Sequence, residues 1–160
     1  MATFHTILHP TDFDAPSVEA FRVARELARA VGAKLIAFHV AAPPAVVTQD
    51  GRLIRSPQEP TPVDLWEDYR VLQGGGPGVP VEYSVMVGKP GDATRMLWDI
   101  IGGNPAGVLI VMGTHARTGV GRLIWGSRAV EVVRTAPCAV LVVKDPLAGS
   151  EVVTTNSPSE

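Results

Sequence analysis

The sequence contains a single cysteine, Cys138, in 160 residues. No internal disulfide can form, so the chain must be held by its own core. No apolar run approaches the ~20 residues that cross a bilayer. The opening Met1-Ala2-Thr3-Phe4 lacks the basic-then-apolar order of a leader. A cytoplasmic protein without membrane contact is expected. Neither sign of charge dominates: 14 Lys and Arg stand against 16 Asp and Glu, a net charge of -2, with a pI near 6.1. A general nucleic-acid binder needs a basic face that releases counterions, and this balance argues against one. The chain also lacks a Gly-x-Ser-x-Gly elbow, a Gly-Lys-Ser/Thr phosphate loop and a Gly-x-Gly-x-x-Gly fingerprint. His5, His9, His39 and His115 are far apart, and the His5/His9 pair has no third metal ligand nearby. Cys138 reads as a small buried apolar residue. No dedicated nucleophile or base emerges, so catalysis is limited at most to slow hydrolysis of a bound triphosphate.

The chain is rich in apolar residues, at 46%, and its length suits one domain able to bury a core unaided. Its 14 prolines and 16 glycines fall mostly between segments of regular pattern. Phe4 to His9 reads as a strand. Pro16 to Val31 reads as a helix with Val18, Phe21, Ala24, Leu27, Ala28 and Val31 at helical spacing, stopped by Gly32. Lys34 to Val40 reads as a second strand, apolar on both faces as in the middle of a parallel sheet. Ala41 to Pro62, with five prolines and the Asp50-Gly51 pair, is expected to be the least structured segment. Val63 to Gln73 fits a short helix. Gly74 to Gly78 reads as a flexible connection more readily than as a phosphate cradle. Val79 to Val87 alternates, with Val81, Tyr83, Val85 and Val87 on one side, as in a strand near a sheet edge. Pro90-Gly91-Asp92 opens a helix that carries Met96, Leu97, Ile100 and Ile101 inward and ends at Gly102. Val108 to Met112 is a core strand, Ser127 to Thr135 a helix broken by Pro137, and Ala139 to Val143 a last strand. Residues 1–145 are expected to form the domain and 146–160 a loose polar tail. Alternating strands and helices imply a doubly wound parallel sheet with right-handed crossovers.

One stretch carries most of the chemical information. The apolar run Val108 to Met112 feeds Gly113-Thr114-His115-Ala116-Arg117, and Gly126-Ser127 then opens a helix. A glycine-bearing loop ending in a hydroxyl residue at a helix start points backbone N–H groups at an anion. Arg117, Arg122, Arg128 and Arg134 stand here against one acid, Glu131, so the local field is positive. An ordinary strand-to-helix connection using glycine for its turns fits the same letters. Upstream, Pro10-Thr11-Asp12 falls where a first strand hands over to its helix, the end of an open α/β sheet at which ligands sit. Asp12 is able to accept a hydrogen bond from a ribose hydroxyl or an exocyclic amine, or to cap the helix that follows.

Gly113, two residues, a position occupied by Ala116, nine residues and Gly126-Ser127 together resemble the ATP-binding signature of the universal stress protein family. That signature has a second glycine where Ala116 stands. The order of elements resembles the family from about Phe4 to Lys144. The resemblance implies a single-domain, Rossmann-like sheet of five parallel strands in the order 3-2-1-4-5. It also implies a nucleotide site with Pro10, Thr11, Asp12 and Val40 on the adenine and ribose side, and Met112, Gly113, Ala116, Gly126 and Ser127 around the phosphates. Arg117 and Arg128 are candidates for phosphate contacts or for a solvated surface. The implied ligand is ATP with magnesium, and the implied role is a nucleotide-binding module in stress response or signalling. The alternative is a dimeric interaction protein of the same family that does not hold ATP. The implied strand order puts the uncharged strand Ala139 to Val143 at an edge with no charge, proline or glycine to protect it. Such an edge recruits another backbone, and a homodimer through it is expected.

Overall fold

In a computed structural model of the chain, the structure describes residues 4–41, 47–49, 52–54, 78–88, 92–114, 117–119, 122–124 and 127–144. Among the described residues twelve elements follow in order: β1 (Thr6–Pro10), α1 (Ala15–Val31), β2 (Lys34–Ala41), β3 (Val47–Gln49), β4 (Arg52–Ile54), β5 (Val81–Val87), α2 (Ala93–Ile101), β6 (Val108–Thr114), β7 (Arg117–Gly119), β8 (Arg122–Ile124), α3 (Ser127–Thr135) and β9 (Ala139–Lys144). The main sheet is parallel and ordered β5-β2-β1-β6-β9. That is the 3-2-1-4-5 order implied by the resemblance, counted over the five long strands. The expected helix at Val63 to Gln73 and the tail at 146–160 lie outside the described residues.

Strand parity explains why the central strands read as unbroken apolar runs. Successive side chains point to opposite faces of the sheet, and here both faces are covered. Ile7, Leu35, Ala37, Leu109 and Val111 pack with Ala20, Phe21, Ala24 and Ala28 of α1. Leu8, Phe38, Val108, Ile110 and Met112 face the other way, onto Leu97 and Ile101 of α2 and Ala129 and Val132 of α3. The α1 contact stripe is mostly alanine, so the helix lies close to the sheet. Val31, placed in that stripe by its spacing, is 41% exposed instead. In α3 the buried pair is Ala129 and Val132, while Val130 and Val133 face outward. Gly32 and Gly102 end α1 and α2 with φ of 68° and 64°, the left-handed conformation that glycine adopts without penalty.

Three expectations need correction. The segment expected to be least structured contains a short antiparallel ribbon, β3 with β4, and Asp50-Gly51 falls in the chain between them. The expected glycine-bearing loop does not begin at Gly113. Parallel pairing with β9 continues to Thr114↔Lys144 and keeps Gly113 and Thr114 in β6, and a second ribbon, β7 with β8, follows. The alternative reading of Asp12 as the α1 cap does not hold, because the cap is Asp14. The Asp14 side chain accepts from the Ser17 N–H at 2.9 Å, with proline in the first helical turn.

Candidate functional site

The carboxyl ends of β1, β2 and β6 converge on a cavity of about 300 Å³. In this topology β1 and β6 lie side by side at the centre, but their following helices pack on opposite faces of the sheet. Such a switch point leaves a crevice above the strand ends. The cavity wall is built from Pro10, Thr11, Asp12, Asp14 and Ser17 after β1, Phe38 to Val40 of β2, Ala93, Thr94 and Leu97 of α2, Met112 to Thr114 of β6, and Arg128, Ala129, Glu131 and Val132 of α3.

Seven of the eleven residues expected at the site line this cavity: Pro10, Thr11, Asp12, Val40, Met112, Gly113 and Arg128. Arg117 lies in β7 and Ser127 begins α3. Ala116 and Gly126 lie outside the described residues. Sequence reading did not single out Asp14, Ser17, His39 or Glu131 as site residues. The first two were findable: Asp14-Ala-Pro-Ser is a helix start with a capping acid and an early proline, which fixes where the helix begins. His39 is adjacent to Val40, and Glu131 is three residues beyond Arg128 on one helix face. The pattern gave no reason to prefer them to their neighbours.

Asp12 is held from two sides. The Ser17 hydroxyl donates to its Oδ1 at 2.6 Å, and the Asp14 N–H approaches the same oxygen at 3.3 Å. Partial burial works to raise the Asp12 carboxyl. The neighbouring Asp14 side chain, the Ser17 hydroxyl and backbone N–H groups outweigh that and hold it below the usual carboxylate range. Asp12 is therefore an anion at neutral pH, and a carboxylate accepts up to about four hydrogen bonds, which leaves capacity for a ligand donor.

Part of the cavity wall is apolar and buried, with Phe38 and Leu97 at most 1% exposed and Met112 buried. Gly113 is a point of close approach: a Cβ there would lie 2.4 Å from the carbonyl carbon and oxygen of Pro16 and 2.7 Å from the Ser17 nitrogen. The glycine lets the first turn of α1 rest directly on β6, which brings the Asp12 loop against the end of that strand. His9, fully buried in β1, donates from Nδ1 to the Val111 carbonyl at 2.9 Å, just past the point where the β1–β6 ladder ends at Leu8↔Ile110. Burial lowers its pKa to about 4, against the opposing pull of that hydrogen bond and of Asp12.

The site therefore offers a cavity with apolar walls, an anchored acceptor in Asp12, and Arg128 and Glu131 contributed by α3. No group of three or more metal-ligating side chains occurs among the described residues. A magnesium ion fits here only when phosphate oxygens supply much of its shell, which is how magnesium commonly binds.

Comparison with known proteins bears on the fold and the family. A universal stress protein of Thermus aquaticus, named for its position beside the QAH/OAS sulfhydrylase gene, is 34% identical over 142 residues, spanning 88% of this chain and 99% of that one. Among solved structures, UspA from Lactobacillus plantarum superposes with a TM-score of 0.58 at 23% identity, covering 89% of this chain and 99% of its own. A universal stress protein solved in complex with cAMP superposes with a TM-score of 0.59 at 23% identity, covering 88% and 97%. The sequence profile of the Universal stress protein family matches residues 3–144, nearly the whole chain, and with the doubly wound sheet and its switch-point crevice the conclusion is that this chain belongs to that family.

Proposed function

We propose that the crevice binds a nucleotide, ATP with magnesium, and that the chain is a nucleotide-binding module of stress response or signalling in the cytoplasm. The observation that carries this reading is the convergence of an anchored carboxylate, Asp12, and a close-packed glycine, Gly113, on one cavity at the switch point of the sheet. The base and ribose are assigned to the side of Pro10, Thr11, Asp12 and Val40. The phosphates are assigned to Met112, Gly113, Ala116, Arg117, Gly126, Ser127 and Arg128, where the N–H groups that begin α3 favour negative charge. The solved relative in complex with cAMP supports a nucleotide as the ligand class. No helix among the described residues is long and apolar enough to cross a membrane.

The test begins with mass spectrometry of small molecules released from the purified, denatured protein, followed by calorimetric titration. Asp12→Ala is expected to weaken adenosine and ATP alike. Ser127→Ala is expected to weaken ATP by about 1–3 kcal/mol, the scale of a hydrogen bond to a charged group, and to spare adenosine. Equal effects of both substitutions on both ligands would refute the division into base and phosphate sides. A second reading rests on Ala116, which replaces a glycine of the ATP signature, and on β9, an outer strand with Leu141 37% exposed. In that reading the chain works as a dimeric interaction protein without ATP, and an absence of released nucleotide and of titration heat would favour it.

A further inference from the structure

Asp12 sits in a four-residue turn, Thr11 to Asp14, whose backbone is not relaxed. Phe13 has φ of 66° and is the only non-glycine residue with positive φ among the described residues. A residue with a large side chain avoids this conformation unless its surroundings enforce it. The Phe13 N–H donates to Thr11 Oγ1 at 2.9 Å within the turn, and the Thr11 N–H donates to the Phe38 carbonyl of β2 at 2.9 Å; His39 of β2 adds two contacts of its own. Its Nδ1 lies 2.8 Å from the Thr11 carbonyl oxygen. A carbonyl only accepts, so Nδ1 carries the proton. Its ring also packs on the Phe13 ring, with centroids 4.8 Å apart and planes at 50°. The carbonyl belongs to the residue before Asp12 and the ring to the residue after it, so one imidazole grips the chain on both sides of the carboxylate. The opposite side is held by α1, through the Ser17 hydroxyl on Asp12 Oδ1.

We infer that His39 is a positioning residue for the ligand site: it locks the turn so that the Asp12 carboxylate is presented at a fixed place and angle. The inference rests on the reading above that Asp12 recognises the nucleoside part of a ligand. His39 needs no contact with the ligand to do this. Its importance lies in the Nδ1 donor, and asparagine places an amide nitrogen at nearly the same reach. Glutamine places its nitrogen one carbon further and misses the Thr11 carbonyl.

The experiment titrates the full chain with adenosine, 2′-deoxyadenosine and purine riboside, which lacks the exocyclic amine. The proteins are the wild type, Asp12→Ala, His39→Leu, His39→Gln, His39→Asn and the double variant Asp12→Ala with His39→Leu. Asp12→Ala identifies which ligand group the carboxylate reads, because it removes the preference of adenosine over one analogue. His39→Leu and His39→Gln are expected to remove the same preference and to weaken adenosine about tenfold, the scale of one lost hydrogen bond to a charged group. His39→Asn is expected to restore both. The double variant should bind no more weakly than Asp12→Ala alone, since a positioning residue has nothing left to position. Amide exchange at Phe13 and Asp14 should quicken in the leucine and glutamine variants and stay slow in the asparagine variant.

A preference that survives in His39→Leu while all three ligands weaken equally would overturn the inference, because that is the signature of a general structural role. Unchanged amide exchange would do the same. If His39→Leu does not fold, the glutamine and asparagine pair decides by the same criteria. If Asp12→Ala itself leaves adenosine binding unchanged, the nucleoside reading of Asp12 is refuted, and positioning by His39 goes with it. An effective Asp12→Ala beside an ineffective His39→Gln refutes the role of His39 alone.

Discussion

Gly113 shows how one small residue serves both packing and the site. Replacing an ordinary glycine by alanine stabilises a protein slightly, by restricting the unfolded chain. At Gly113 the added methyl would sit 2.4 Å from the Pro16 carbonyl group, which is backbone and cannot swing aside. Gly113→Ala is therefore expected to destabilise by about 1–3 kcal/mol, the cost of overpacking, as measured by urea denaturation. Ligand affinity should fall with it, because the start of α1 must move and Ser17 carries Asp12. His9 sets a second expectation, in pH. Its pKa is lowered by burial to about 4 in the folded protein, below the ordinary value of about 6.5 that applies to the unfolded chain. As pH falls below about 6.5 the unfolded state binds a proton that the folded state refuses, so stability declines until pH reaches about 4. Between pH 7 and pH 5 this one residue is expected to account for a loss of about 2 kcal/mol. His9→Gln does not titrate, and it should show a flatter stability profile over that interval even if it is less stable at pH 7.

At the scale of the element, α1 organises the site. Its cap, Asp14, and the ligand candidate, Asp12, are two residues apart and chemically identical, but their partners differ. Asp14 accepts from the Ser17 backbone N–H, and Asp12 from the Ser17 hydroxyl. Asp14→Ala removes an N-cap and is expected to lower stability by about 1 kcal/mol, within the range for such losses. Asp12→Ala should cost less in thermal or urea unfolding and more in nucleoside affinity. That opposite ordering separates a helix cap from a binding carboxylate. The same helix shows why a contact stripe of alanines suits this position. A larger stripe would lift α1 from the sheet and pull Ser17 and Asp12 away from β6.

At the scale of the whole molecule, the edges of the sheet are unequal. β5 carries the Lys34–Glu82 ion pair with its neighbour β2. β9 at the opposite edge has no charged residue before Lys144, and Leu141 stays 37% exposed on it. Val130 and Val133 of the adjoining α3 are 38% and 50% exposed. An open strand edge with apolar residues beside it invites pairing with another backbone. The proposed homodimer through Ala139 to Val143 predicts that light scattering finds twice the chain mass at micromolar concentration. Leu141→Lys should shift it to the monomer without altering the circular dichroism of the fold. A monomeric wild type would remove the proposal.

How much of this was legible in the sequence depends on the range of the interaction. Apolar periodicity placed α1, β2, α2, β6, α3 and β9 to within a few residues, because each buries a face whose pattern repeats along the chain itself. Gly32 and Gly102 marked helix ends for an equally local reason. Pro10, Thr11, Asp12 and Met112 could be nominated because strand ends at a switch point are where crevices open. Asp14-Ala-Pro-Ser marks Asp14 as the cap from local pattern, but nothing local shows that the turn through Phe13 brings Asp12 onto the Ser17 hydroxyl. The continuation of β6 through Gly113 and Thr114 was invisible for a similar reason, as it depends on pairing with β9, about thirty residues later in the chain. The reason Gly113 must be glycine, the grip of His39 on the Thr11 turn and the burial of His9 all arise where β1, β2, β6 and α1 meet. The sequence by itself determined the long elements of the main sheet and its helices, the parity of the strands and the class of fold. Only the tertiary structure decided which of several similar residues face the cavity, because that is settled by contacts between segments that the chain order keeps far apart.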